Sequence, residues 1–227
     1  MDRYPYKPDR FSSHSLVLEE FEIPGRNRHV LDVGCGRGHL SRILSERGYR
    51  VTGIDQDSES LRDAAQWCCE VIEGNIETWG NSAKQLYDYL LLADVLEHLR
   101  DPLATMCRLM PLLKEEGTVV LSVPNVAHLY VRLMLLCGRW KYEERGILDR
   151  AHLRFFTSSS LKEFLRAAGI CLRRMRTASL PWSMILSSAP QRFRNVLASI
   201  DHMAGCVWPT LFAYQWVVSG TKRDRHG

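Results

Sequence analysis

Val30-Leu31-Asp32-Val33-Gly34-Cys35-Gly36-Arg37-Gly38-His39-Leu40-Ser41 decides how this chain folds. Val30, Leu31 and Val33 make a short apolar run suited to a buried strand. Gly34, Gly36 and Gly38 follow at alternate positions, and Leu40, Ile43 and Leu44 then recur at helical spacing. The reading is strand, tight glycine turn, helix. A ligand lying across such a turn is expected to meet backbone N–H groups and the positive end of the helix, with no Cβ in its way at the glycines.

The next strand candidate, Arg50 to Ile54, runs into Asp55. An acidic residue at the tip of a second strand accepts hydrogen bonds from both hydroxyls of a ribose, which points to a nucleoside-containing cofactor. A dinucleotide would want G-x-G-x-x-G, but here the third glycine comes one residue early and His39 stands in its place. A pyrophosphate, and with it an NAD-dependent oxidoreductase, is therefore disfavoured. Asp32, just before the turn, suits a cationic amino or sulfonium ligand, either directly or by orienting the turn.

With 227 residues the chain can bury one substantial core. It is 45% hydrophobic and 25% charged, ordinary for a globule, and a formal charge of +4 is too mild to argue for nucleic acid. Seven cysteines are scattered without a C-x-x-C pair, and Cys68 and Cys69 are adjacent. Neither a disulfide framework nor a zinc site is expected, and a reducing cytoplasm fits best. Met1 to Arg10 has no apolar core for a signal peptide, and no stretch reaches the roughly 18 uninterrupted apolar residues of a membrane span.

Seven strand-like runs alternate with helical ones, so the expectation is an α/β, Rossmann-like, doubly wound sheet. It is mostly parallel, with an antiparallel last strand and a helical insertion before it. Residues 1–28 would form an N-terminal helical extension whose helix packs on the sheet edge, with Phe11 and Leu18 in core contacts and Tyr4 and Tyr6 closing over the site. Residues 29–177 and 210–222 would form the cofactor-binding domain. Residues 178–209, rich in large apolar side chains at helical spacing, would cover the acceptor pocket or make peripheral membrane or homodimer contact. Ser58 is expected to cap the helix after the second strand, and Lys114 to Gly117 to make a turn.

The arrangement D-x-G-x-G-x-G at Asp32 to Gly38, with Asp55 beyond it, resembles motif I of the class I S-adenosylmethionine (SAM) methyltransferases. The segments A-D-V-L-E-H-L-R-D-P (93–102), S-V-P-N-V-A-H (122–128) and G-I-L-D-R-A-H-L-R-F-F-T (146–157) are similar to the type 11 and 12 groups. The last two resemble bacterial enzymes of glycan or natural-product pathways and, more distantly, ubiquinone-type O-methyltransferases. The resemblance covers Val30 to Ala178 well and the two ends poorly. It implies SAM as cofactor, S-adenosylhomocysteine as product, and a binding set of Asp32, Gly34, Cys35, Gly36, Gly38, Asp55, Gln56, Asn75, Ile76, Ala93 and Asp94. Asn75 departs from the family's usual Asp at the adenine; its amide carbonyl can still accept the adenine hydrogen bond, without a charge.

Methyl transfer to a hydroxyl needs a base near the ends of the fourth and fifth strands. His98 and His152 qualify, with Asp149 close enough in sequence to orient His152 or to act alone. His98 also reads as a packing and capping feature of a helix start. Asn125 could position an acceptor hydroxyl, and Arg139, Arg150 and Arg154 could hold an anionic group such as a carboxylate or phosphate, though these arginines read equally as solvated surface. Asp94, Asp149 and His152 are hard-ligand types, but no spacing requires a metal, and none is expected. The expected activity is O-methylation of a small-molecule, glycan or lipid-linked acceptor, with no nucleic acid as partner. The alternatives are an N- or C-methyltransferase of a natural product or quinone precursor, and a non-catalytic partner with the same fold.

Overall fold

A computed structural model describes residues 6–79 and 86–223. Seven strands form one sheet: β1 (His29–Val33), β2 (Arg50–Asp55), β3 (Glu70–Glu73), β4 (Tyr87–Ala93), β5 (Leu113–Pro124), β6 (Ile170–Ala178) and β7 (Gln215–Lys222). Their order is β3-β2-β1-β4-β5-β7-β6, and β7 alone runs antiparallel to its two neighbours. The expected α/β doubly wound sheet is what the chain forms. Because β1 pairs with β2 on one side and β4 on the other, the chain winds outward both ways from β1, and the crevice at its carboxyl end is where ligands bind in such sheets.

Alternate strand residues feed two cores. Leu31, Val33, Leu90, Leu92, Leu121 and Val218 point to the face covered by α4 (Pro102–Leu109) and α6 (Ser158–Ala167). Val30, Leu91, Val120 and Val217 point to the other face, under α1 (Ser13–Leu18) and α2 (His39–Glu46). The N-terminal helix therefore does not sit on the sheet edge, as the sequence led one to expect. Leu16, Val17 and Leu18 are almost wholly buried over β7, β5 and β4, in the middle of the sheet, because three consecutive apolar residues fill a face left open between crossover helices.

Local capping differs in two places from the sequence reading. Asp57, not Ser58, caps α3 (Ser58–Ala64), its carboxylate accepting from Glu59 N at 3.1 Å. Lys114 to Gly117 does not end an element but swells within β5: Tyr87 pairs with Leu113 and Tyr89 with Thr118, so the extra residues bulge out of the ladder. Between β6 and β7 lie α7 (Trp182–Ile185), α8 (Gln191–Val207) and α9 (Pro209–Phe212), while α5 (Leu129–Leu136) follows β5. Phe11 packs against this connection, stacked on His202 with ring centroids 4.0 Å apart. Tyr6 stacks on His14; Tyr4 lies outside the described residues. Among the described residues no helix is long and apolar enough to cross a membrane.

Candidate active site

A cavity of about 790 Å³ opens at the carboxyl ends of β1, β2 and β4. Its floor is the glycine turn. Gly34, Gly36 and Gly38 all have positive φ (68°, 50° and 77°), a backbone state that a side chain disfavours. Space divides their roles. A Cβ on Gly34 would lie 2.8 Å from Val95 Cγ2 and one on Gly38 2.9 Å from Ala64 Cα, whereas one on Gly36 would meet nothing within 4 Å. Gly36 thus faces the cavity. Gly38, placed by sequence among the cofactor contacts, instead starts α2 against α3 and does not line the cavity.

Four of the turn's N–H groups already have acceptors within the protein. Gly34 N and Cys35 N both donate to Ile54 O (2.8 and 3.2 Å), Gly38 N donates to Cys35 O (2.9 Å), and Gly36 N donates to Asp55 Oδ2 (2.8 Å). The end of β2 thus takes the N–H groups of Gly34, Cys35 and Gly36, and the Gly38 N–H closes the turn on itself. Asp55 also accepts from Asp57 N at 2.9 Å, and a carboxylate offers about four lone-pair sites, so two remain for ribose hydroxyls. Gln56, Asn75 and Ile76 continue the wall beside it. Asn75 Oδ1 accepts from Glu77 N at 2.9 Å, which fixes the amide at the tip of β3.

Asp32 is buried beneath the turn and accepts from Ser41 Oγ at 2.6 Å. Burial pushes its carboxyl up to about 7, with the nearby Asp55 charge adding to the rise and the Ser41 bond opposing it. Since the folded value lies above the unfolded one, this group stabilises the protein below its ordinary pKa, and the contribution is lost as pH rises through about 7. A bound cation would reverse the balance by favouring the carboxylate. SAM binding near pH 6.5 is therefore expected to release protons, measured calorimetrically in buffers of different ionisation enthalpy. Asp32→Asn should release fewer; equal release in both proteins would remove Asp32 from the cation's surroundings.

Across the cavity, Ala93 and Asp94 end β4, with Asp94 in a left-handed conformation (φ 56°). Its carboxylate accepts from Lys7 Nζ (2.6 Å), Gln215 Nε2 (2.9 Å) and Ser122 Oγ. Burial alone would raise its pKa, but the Lys7 ammonium, with His14 behind it, holds it well below the usual range. Lys7 carries no sequence signal for this position: it stands 87 residues from Asp94 and meets it only because the N-terminal segment crosses the open end of the sheet.

His98, Asp149 and His152 all line the cavity. Asp149 does not orient the His152 ring, however. Its Oδ1 accepts from Ala151 N (2.8 Å), and the His152 ring is held instead by Nδ1, 3.0 Å from the Ile147 carbonyl. A carbonyl can only accept, so Nδ1 carries the proton and Nε2 keeps its lone pair. Burial, helped by the neighbouring His98, lowers the His152 pKa and keeps the ring neutral. The two imidazoles meet edge to face at 4.8 Å, and His98 Nδ1 donates to the Ala151 carbonyl (3.1 Å).

Glu97, which its position behind the fourth strand turns toward the cleft, has no role assigned by the sequence. It is buried, both carboxyl oxygens lack a hydrogen-bond partner among the described residues, and it lines the same cavity. Burial first, and the Asp94 charge second, raise its pKa well above the ordinary value, which favours the protonated carboxyl. Its sequence signal is its place just beyond the carboxyl end of the fourth strand, beside His98. Glu97, His98 and His152 each bring a donor atom within 4.8 Å of the others, a carboxylate and imidazole set of the kind a divalent transition metal takes. Spacing could not reveal it, because the second histidine comes from a different loop.

The expected acceptor-binding residues, Asn125, Arg139, Arg150 and Arg154, are not brought to the cavity. Asn125 is fully buried, and its amide donates to the Ala213 carbonyl (2.8 Å) while its carbonyl accepts from Ala127 N (3.1 Å), joining β5 to the end of α9. Arg150 pairs with Glu144 at the surface, and Arg154 donates to the Arg100 carbonyl. In their place Arg145, Gly146, Ile147, Pro181, Met184 and Tyr214 line the acceptor side.

Residues 8–172 match the family model described as a methyltransferase domain. Over 156 residues the chain is 29% identical to the ubiquinone biosynthesis O-methyltransferase of Aeromonas salmonicida, an alignment covering 65% of each protein, so the chain spans just under two thirds of that relative's length. Among solved structures it is similar to a SAM-dependent methyltransferase from Archaeoglobus fulgidus (TM-score 0.63, 17% identity, 92% of each chain covered). It is likewise similar to the magnesium protoporphyrin IX methyltransferase of Synechocystis PCC 6803 with bound S-adenosylhomocysteine (TM-score 0.60, 16% identity, 92% of this chain and 80% of that one). With a turn stripped of competing side chains, a carboxylate with two lone pairs to spare at the end of β2 and a buried acid set for a cation, the chain belongs to the methyltransferase-domain family and takes SAM as its cofactor.

Proposed function

We propose that this protein is an O-methyltransferase acting on a small-molecule, sugar or lipid-linked hydroxyl, with His152 as general base. The observation that carries the reading is the tautomer of His152: its Nδ1 proton is committed to the Ile147 carbonyl, leaving a basic Nε2 on the wall of the cavity that holds Asp55. SAM, when bound, supplies an electrophilic methyl group on a sulfonium. His152 Nε2 would take the acceptor's hydroxyl proton as the methyl carbon exchanges its bond to sulfur for one to the acceptor oxygen, with S-adenosylhomocysteine as the leaving group. The uncharged Glu97 carboxyl donates a hydrogen bond that orients the acceptor, and Met184 and Pro181 give an apolar surface for its body. The ubiquinone biosynthesis enzyme named above, itself an O-methyltransferase, supports oxygen over nitrogen or carbon.

Purified protein with methyl-labelled SAM and a panel of phenolic, sugar and polyprenylated hydroxyl acceptors is the direct test. Label should move to an ether oxygen of at least one acceptor. Label recovered only on amine or carbon acceptors would replace the O-methyl reading. Tight SAM binding with no transfer anywhere on a wider panel would favour a non-catalytic partner.

A further inference from the structure

Helix α8 is built inside out. Apart from the half-buried Leu197, the residues it turns toward the protein are small or polar: Ala198 and Gly205 are buried, Asp201 accepts from Leu180 N at 2.8 Å, and His202 stacks on Phe11. On the opposite side Phe193, Val196, Ile200, Met203 and Val207 recur at three- and four-residue steps and stand 53–81% exposed. At 1.5 Å per residue the stripe runs about 20 Å along the helix, and Trp208 extends it, 58% exposed. An amphipathic helix normally sends its apolar stripe inward. Here folding of the chain leaves it outside.

The second apolar helix repeats the pattern. In α5 only Val131 is buried, while Leu133, Leu135 and Leu136 are 51%, 52% and 83% exposed. Its one charged residue, Arg132, turns back to donate to the Ala127 carbonyl (2.6 Å) and the Thr210 carbonyl (3.5 Å). That second bond ties α5 to α9, which directly follows α8, so the two exposed apolar elements are structurally linked.

Charge decides the occupant. Residues 129–150 and 182–212, which hold both helices, carry seven basic and four acidic side chains. The acids are largely engaged: Glu143 accepts from Tyr130 OH, Glu144 pairs with Arg150, Asp149 is buried and Asp201 is bonded inward. What faces outward is apolar surface among exposed cations such as Arg139, Lys141 and Arg192. A second copy of the chain would bring the same excess of cations to this face, with its acids already engaged and none left to meet them. An anionic bilayer meets both features, taking the apolar stripe below its headgroups and the cations at its surface.

From the outward apolar residues of α8 and α5 and the exposed cations on and next to these helices we infer that the protein docks on anionic phospholipid, lying on the membrane and not spanning it. Docking of this kind does not depend on the methyl-transfer reading. It would, however, place the cavity at the lipid surface, because α7 just before α8 supplies Met184 and the loop after α5 supplies Gly146 and Ile147 to its wall.

Vesicle flotation with the full chain tests this. Phosphatidylcholine vesicles containing about a third phosphatidylglycerol should carry the protein up, and pure phosphatidylcholine should carry far less. Raised salt should weaken binding, since the cations act through screened charge. Ile200→Asp with Met203→Asp should reduce binding at least tenfold without altering circular dichroism, Tm or SAM affinity, and Lys141→Glu with Arg192→Glu should lower it while leaving the apolar stripe in place. Failure to float with anionic vesicles would overturn the proposal. So would a stable dimer that the Ile200→Asp, Met203→Asp pair splits while vesicle binding stays unchanged.

Discussion

His152→Ala is expected to lower kcat by about 10²- to 10³-fold and leave SAM affinity unchanged, because general-base assistance is worth roughly that much and the side chain lies on the acceptor side of the cavity. The ring's Nδ1–H bond to the Ile147 carbonyl is lost too, at a stability cost of about 1 kcal/mol, so the variant should remain folded and its Tm should drop only slightly. Asp149→Asn serves as the contrast. Since the Asp149 carboxylate caps Ala151 N and does not hold the imidazole, it should affect stability more than kcat. Single-turnover rates with saturating SAM and acceptor would decide: an unchanged chemical step in His152→Ala would exclude it as the base.

The other large effect is on cofactor binding. Asp55→Ala removes the acceptor proposed for both ribose hydroxyls and the two bonds that the carboxylate makes to Gly36 N and Asp57 N. Hydrogen bonds to a charged partner contribute roughly 1.5–3 kcal/mol each, so losing two from the cofactor should raise the SAM Kd by about 10²-fold or more. Asp55→Asn keeps one acceptor and the backbone geometry and should fall in between. Titration calorimetry measures both, and wild-type affinity in Asp55→Ala would refute the ribose assignment.

Much of this site was readable before any coordinates. Strand, turn, helix, strand and acid lie within some 25 consecutive residues, and such order follows from local propensity: apolar runs of β-branched residues, glycines that tolerate positive φ, and a helical repeat of leucines. The carboxyl ends of the strands then place the cavity without further information, since side chains at those positions meet wherever a parallel sheet reverses its winding. What misled the reading was also local. Asn125, Arg150 and Arg154 have the chemistry of acceptor binders, but residue type says nothing about direction. In the fold Asn125 satisfies buried carbonyls and the two arginines serve the surface.

The chain's covalent order by itself determined the α/β class, the glycine turn and the carboxylate at the end of β2, because those depend on neighbours a few positions apart. Only the tertiary structure decided the rest. Lys7 meets Asp94, Glu97 and His98 meet His152, and the apolar stripe of α8 is left facing outward, through contacts between segments that share no local signal. Such pairings are set by which surfaces the folded sheet has left to cover, and periodicity, which tells a helix's two faces apart, cannot tell which of them the sheet will receive.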